Sequence, residues 1–261
     1  MRKLLSLALL ATALSPAACG VAQTTTLPAP APAPAQGGMM QAPAAQAARL
    51  PNEVQWFRNS AEQRAAYLQA YRLAGDQIRR MAAGQAPGSW AVILDADETV
   101  LDNSQYQKEL AQAGTQMQAD TWAAWVRRQQ ARALPGAPAF TRMVHDLGGR
   151  VAIVTNRDEP LCDATRANLR AVMIAADLVL CRTDLSTGDK NPRFRAVEAG
   201  TAAPGIPAVH VLMWVGDNIN DFPAQSQAIR SGSDEAFDRF GRSFIVLPNP
   251  MYGSWAANPP N

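Results

Sequence analysis

Two histidines and three cysteines are all that 261 residues contain of either type, and their settings exclude several chemistries. His145 lies in a helical pattern and His210 in a strand pattern, and neither stands in an Arg-His-Gly nucleophile motif. Cys162 and Cys181 are followed six places later by Asn168 and Thr187 rather than Arg, so no cysteine-based anion loop is present. A Gly-x-x-x-x-Gly-Lys phosphate loop is also missing. The longest early apolar run, Leu4–Ala11, is too short for a membrane span. Charge of one sign is lacking as well. Taking Arg2 and Lys3 from the 24 basic residues leaves 22, equal to the 22 acids, which gives no electrostatic case for a nucleic-acid polymer as partner.

What the N-terminus does contain is a basic start, Met1-Arg2-Lys3, and a short apolar stretch with the form of a secretory signal over residues 1–22. Leu14-Ser15-Pro16-Ala17-Ala18-Cys19-Gly20 resembles a bacterial lipoprotein box, with Pro16 where an aliphatic residue is usual. The expectation is acylation at Cys19, giving a membrane contact through an N-terminal lipid and a periplasmic or outer-membrane location. Cleavage after Ala22 is the alternative, and it would remove that thiol. Residues 23–51 are an Ala/Pro-rich linker, extended where Pro and Ala alternate from Pro28 to Pro34. A disulfide between Cys162 and Cys181 is permitted in an oxidising compartment, but sequence alone does not bring the two together, and two buried, inert thiols are the expectation.

Folding is expected from Asn52 to Trp255, with residues 256–261 as a tail. Ser60-Ala61-Glu62-Gln63 reads as a capping box for a helix reaching about Gly84, with Ala61, Ala65, Leu68, Tyr71, Gly75 and Ile78 on one face. Trp90–Asp95 is an unbroken apolar run ending in a carboxylate, the pattern of a strand buried on both faces. Residues 102–135 form an insert of helical texture, read as a small cap, and Ala137–Leu147 is the next helix. Strands at Arg150–Thr155, Leu178–Leu180, Val209–Val215 and Phe244–Leu247 then alternate with helices at Asp163–Met173 and Asn191–Gly200. This alternation implies an α/β fold with a doubly wound, mostly parallel sheet.

Asp95-x-Asp97-x-Thr99 closes the first strand. An isolated Asp-x-Asp is ordinarily a loop or a helix cap. At the carboxyl end of a buried parallel strand it faces the crevice where such sheets bind ligands, and it can hold a divalent cation against an anion. Three pieces follow in order: Val154-Thr155-Asn156-Arg157, then Gly188-Asp189-Lys190, then Gly216-Asp217-Asn218-Ile219-Asn220-Asp221.

The ordered set resembles the haloacid-dehalogenase superfamily, and the local wording resembles its class C bacterial acid phosphatases, a lipoprotein group with four signature aspartates. Asp97-Glu98-Thr99-Val100-Leu101-Asp102-Asn103-Ser104 and Leu247-Pro248-Asn249-Pro250-Met251-Tyr252-Gly253 carry much of this likeness, which extends from about Gln55 to Trp255. The resemblance implies a metal-dependent phosphomonoesterase acting on 5′-nucleotides and similar small monoesters through an aspartyl-phosphate. A phosphate dianion beside a carboxylate is repelled by about 4 kcal/mol per charge pair at ~4 Å and an effective dielectric near 20. Mg²⁺ between them reverses the sign.

On this likeness Asp95 is the nucleophile and Asp97 the acid and base. Asp95, Asp97 (through its backbone carbonyl) and Asp217 hold the metal, and Asp221 either ligates it or holds a metal-bound water. Thr155 and Asn156 bind the phosphoryl oxygens, Lys190 adds positive charge there, and Arg193 fits the basic pattern nearby. Trp122 aligns with a cap aromatic that stacks on a nucleobase, with Tyr106 and Met117 as further candidates, whereas Trp125 is assigned to packing. No second aromatic is evident after Asp221. An acid optimum is likewise implied. Two other readings share the scaffold: a phosphotransferase to an alcohol, and a surface lipoprotein that binds ligands without turnover.

Overall fold

The computed structural model describes residues 49–259; Cys19, the signal and nearly all of the linker lie outside them. Helix α1 (Asn52–Asn59) leads into α2 (Ala61–Met81), whose N-cap Ser60 Oγ accepts from the Gln63 amide at 3.0 Å. The buried face of α2 keeps Tyr71, Gly75 and Ile78 of the expected stripe but departs from it in the first turns. Gln63, Tyr67, Tyr71, Ala74, Gly75 and Ile78 point inward, while Ala61 and Ala65 are exposed. Tyrosine side chains reach buried carbonyls that alanines do not, and that decides the face.

Strand β1 (Trp90–Leu94) is wholly buried. Beyond it, β2 (Leu101–Asp102) pairs antiparallel with β3 (Arg132–Ala133), and helices α3 (Ser104–Ala113) and α4 (Ala119–Arg128) lie between the two. This short antiparallel pair had no signal in the sequence. The chain continues through α5 (Ala137–Asp146), β4 (Arg150–Asp158), α6 (Cys162–Ala171), β5 (Leu178–Arg182), α7 (Asn191–Ala199), β6 (His210–Gly216) and β7 (Phe244–Val246).

The five long-range strands form one parallel sheet in the order β5-β4-β1-β6-β7. Side chains of β1 alternate between its faces. Trp90, Val92 and Leu94 pack with Tyr67, Tyr71 and Ile78 of α2 and Phe140 and Val144 of α5. Ala91 and Ile93 face Phe194 and Val197 of α7 and Phe244 of β7. With β1 central and the winding reversing beside it, the carboxyl ends of β1, β4 and β6 open onto one crevice.

One expectation fails here. Cys162 and Cys181 are joined in a disulfide, with Cα atoms 5.8 Å apart. The reason is register: β5 runs parallel to β4 with Asp158 opposite Arg182, and α6 starts four residues after Asp158. That brings its first residue beside Cys181. The bond closes a loop of 19 residues, which on chain entropy is worth about 3 kcal/mol. Replacing both cysteines by serine is expected to lower the urea-unfolding free energy of the 49–261 region by about 2–4 kcal/mol; an unchanged midpoint and slope would refute it.

Candidate active site

The crevice is built first from backbone. The Asp95 amide donates to Val215 O at 3.0 Å, continuing the β1–β6 register for one more residue. The chain then folds tightly: Val100 and Leu101 amides both donate to Ala96 O, and Glu98 takes a left-handed φ of 50°. Helix α2 braces this turn from behind. The Tyr67 hydroxyl donates to Glu98 O at 2.5 Å and the Tyr71 hydroxyl to Thr99 O at 2.8 Å. Burial pushes both phenols up, so they remain protonated donors.

At the end of β6, Gly216 is required by close approach: a Cβ there would fall inside the Asp221 side chain. A carboxylate oxygen from each of Asp95, Asp217 and Asp221 lies within 4.8 Å of the others. Lys190, at the N-terminus of α7 and only 4% exposed, donates from Nζ to Asp95 Oδ1 and, at 2.7 Å, to Asp221 Oδ1. Asp217 is held by Asn249 Nδ2 at 2.8 Å and Thr99 Oγ1 at 3.3 Å, and Asp221 Oδ2 accepts the Asn218 amide.

Lys190 is the only cation in hydrogen-bonding contact with these three carboxylates among the described residues. With all three acids ionised, one ammonium would leave two negative charges. The strain appears in the acidities. Burial, opposed by Lys190 and aided by the Asp221 and Asp97 charges, pushes Asp95 up to about 7. Burial and the Asp221 and Asp95 charges hold Asp217 well above the usual carboxylate range. Burial works against the Lys190 charge, but Asp221 and Asp95 more than offset it and keep the amine firmly protonated. Hard carboxylate oxygens that resist ionising without a further positive charge suit a divalent cation.

Asp97 has a different neighbourhood. Arg157, 2% exposed, reaches its Oδ1 from Nη2 at 2.7 Å and from Nε at 3.0 Å, and Asn103 Nδ2 adds a bond at 2.8 Å. Neither Arg157 nor Asn103 had an assigned role in the sequence, although both sit inside the motifs. Thr155 is fully buried and its Oγ1 accepts the Arg157 amide, which leaves its hydroxyl hydrogen free to donate. Exposed Asn156 is tied by Nδ2 to Gly188 O at 2.9 Å, linking the β4 end to the Lys190 loop. Arg193 braces the same junction, donating to Thr155 O and Asn156 Oδ1. All seven expected site residues of the core thus lie at one end of the sheet.

Beside Asp97 opens a cavity of about 360 Å³ lined by Met117, Trp122, Asn156, Arg157 and Tyr252. Tyr252 is a second aromatic that the sequence reading missed. The segment after β7 folds back over the crevice through Asn249, and the tyrosine was visible only as part of Leu247–Gly253. Tyr106 is not in the cavity. It is buried behind Trp122, with ring centroids 5.4 Å apart, and props that indole. Trp125 is buried as expected, 2% exposed.

A family model described as HAD superfamily, subfamily IIIB (Acid phosphatase), matches residues 23–255. The chain belongs to this family. The class C acid phosphatase from Bacillus anthracis is 29% identical, with a TM-score of 0.69 over 78% of this chain and 85% of that one. A second crystal structure described as that phosphatase with tungstate bound is 27% identical, with a TM-score of 0.68 over the same shares. The class C resemblance and the doubly wound α/β fold are therefore borne out. This acid phosphatase is a phosphomonoester hydrolase with an acidic cluster of the kind that holds a divalent metal.

Because Lys190 neutralises acids rather than donating ligands, Lys190→Ala is expected to separate two properties. Turnover falls roughly 10²–10³-fold, as when one positive donor at an anionic transition state is removed. Divalent-cation binding, followed by calorimetry, persists or tightens; loss of cation binding with unchanged turnover would refute the assignment.

Proposed function

We propose that this acid phosphatase hydrolyses 5′-nucleotides and similar small monoesters through an aspartyl-phosphate on Asp95, with Mg²⁺ as the metal. The observation that carries the reading is the pairing of two dissimilar carboxylates two residues apart. Asp95 sits among acids and an ammonium, and Asp97 beside a guanidinium and a cavity. The Asp95 and Asp217 carboxylates and the Asp97 carbonyl would hold the ion, with Asp221 ligating it or orienting its water. When bound, Mg²⁺ supplies the positive charge that lets a phosphate dianion enter the acidic cluster.

Asp95 Oδ2, the oxygen not engaged by Lys190, attacks phosphorus. As that bond forms, the bond to the ester oxygen breaks, and Asp97 gives its proton to the leaving oxygen. Asp97 then takes a proton from water as the water attacks phosphorus, and Asp95 is released. Lys190 and the Thr155 hydroxyl stabilise charge on the phosphoryl oxygens throughout, and Asn156 contributes its backbone donor. Tungstate in the Bacillus anthracis relative supports an oxyanion site in this fold.

Trp122 and Tyr252 give the leaving-group cavity two aromatic walls, which suits a nucleobase. Base–aromatic stacking is worth roughly 1–3 kcal/mol per base. The disulfide supports the reading of an exported protein, since such bonds persist in oxidising compartments. Lipid attachment through Cys19 is part of the same proposal.

Two measurements test this. In a screen of phosphomonoesters, release of phosphate is expected to require a divalent metal, to be abolished by EDTA and restored by Mg²⁺, and to fall at least about 10³-fold in Asp95→Asn. Metal-independent release, or turnover retained in Asp95→Asn, would refute the nucleophile. Trp122→Ala and Tyr252→Ala are each expected to raise KM for a 5′-nucleotide by about 5–150-fold while changing that for glycerol phosphate little. Equal effects on both esters would remove the stacking role.

A further inference from the structure

Asn103 stands at the N-cap position of α3, where asparagine ordinarily caps a helix with its side chain. Here it makes no such bond, and the Ser104 amide donates instead to Asp102 Oδ1 at 2.8 Å. The whole Asn103 side chain is turned the other way, with 0% exposure. Its Nδ2 donates to Asp97 Oδ1 at 2.8 Å and to Glu98 Oε2 at 3.2 Å. Its Oδ1 accepts from Trp125 Nε1 at 2.8 Å and from Arg157 Nη2 at 3.2 Å. Two donors and two acceptor sites are all an amide offers, and each is used. The amide orientation is fixed by this set, because a flip would set its NH₂ against the indole and guanidinium donors.

The consequence falls on Asp97. Its Oδ1 receives Asn103 Nδ2, Arg157 Nη2 and Arg157 Nε, at 2.8, 2.7 and 3.0 Å. Its Oδ2 receives only a longer contact from Arg157 Nε at 3.2 Å. One oxygen carries the short bonds, and the other, on a residue that lines the cavity, carries only that long one. We propose that Asn103 is a positioning residue that tethers Asp97 by Oδ1, so that Oδ2 is the atom that delivers the proton to the leaving oxygen. The proton passes from Oδ2 to the ester oxygen as the phosphorus–oxygen bond breaks and the Asp95–phosphorus bond forms. Trp125 extends the tether to α4, the helix that also carries Trp122 into the cavity. The helix that meets the leaving group and the acid that protonates it therefore share one hydrogen-bonded hinge point, Asn103.

This deepens the proposed role of Asp97 as leaving-group acid and rests on it. Proton delivery matters most when the departing alkoxide is strongly basic and least when it is a stabilised phenolate. The test is kcat/KM across a series from alkyl monoesters, such as glycerol phosphate, to p-nitrophenyl phosphate, for wild type, Asn103→Ala, Trp125→Phe and Asp97→Asn, with thermal melts of each. In Asn103→Ala the loss on alkyl esters is expected to exceed that on p-nitrophenyl phosphate by about 10–100-fold. Trp125→Phe keeps a packed ring and removes only the indole donor, and it is expected to show the same bias more weakly. Should Asn103→Ala fail to fold, Trp125→Phe decides alone. A uniform loss across the series beside a steep Asp97→Asn profile would overturn the positioning role while leaving the acid in place. A flat Asp97→Asn profile would overturn both.

Discussion

Everything at this site depends on one buried ammonium lying between two carboxylates. Asp95 closes β1 and Asp221 lies in the turn after the neighbouring β6, and Lys190 enters from the start of α7, the helix packed against β4 and β6. Charges so nearly removed from water are costly singly and tolerable only as a compensated group. The compensation is incomplete, and that incompleteness is the useful property. A cluster already neutral would have no call for a cation, and a cluster with no lysine would repel phosphate even with one. The parallel sheet supplies the rigidity, because neither β1 nor β6 can retreat without giving up register on both sides.

The loop that bears Asp95 and Asp97 is held as firmly as the strand before it. Two tyrosines four residues apart on α2 fasten consecutive carbonyls, Glu98 O and Thr99 O. Helical spacing places them side by side, and full-length aromatic arms let the helix act across a layer of packed side chains. An early helix thus belongs to the catalytic framework, although it contributes no side chain to the cavity.

Much of this arrangement can be read in the chain. Asp95 and Asp97 stand out because an apolar run stops at them, and Lys190 because Lys3 and Lys108 are the only other lysines. The order of motifs carries the winding of the sheet. Partnerships that depend on register or rotamer are a different matter. The Cys162–Cys181 bond follows from how β5 slides along β4, which no local pattern encodes. Tyr67 was hidden by an alanine periodicity equally good on paper. Asn103 carries no signal of its own: its type and place suit a helix cap equally well, and only the direction of its amide separates the two uses.

The two carboxylates of Asp95-x-Asp97 differ in what restrains them, and the difference matches the tasks proposed for them. A nucleophile needs one oxygen free and positive charge nearby that fixes no plane, and the ammonium of Lys190, a point charge bonded to Oδ1 alone, suits that. An acid that later serves as a base needs a fixed plane through both proton states. The Arg157 fork meets Asp97 through two nitrogens, and its own Nη1 is anchored by Thr165 Oγ1 at 3.2 Å. With Asn103 on the same oxygen, rotation of the carboxylate would break three bonds at once. A lysine in place of Arg157 could hold the charge but not the plane, so the choice of guanidinium here is a constraint on geometry before it is one on electrostatics.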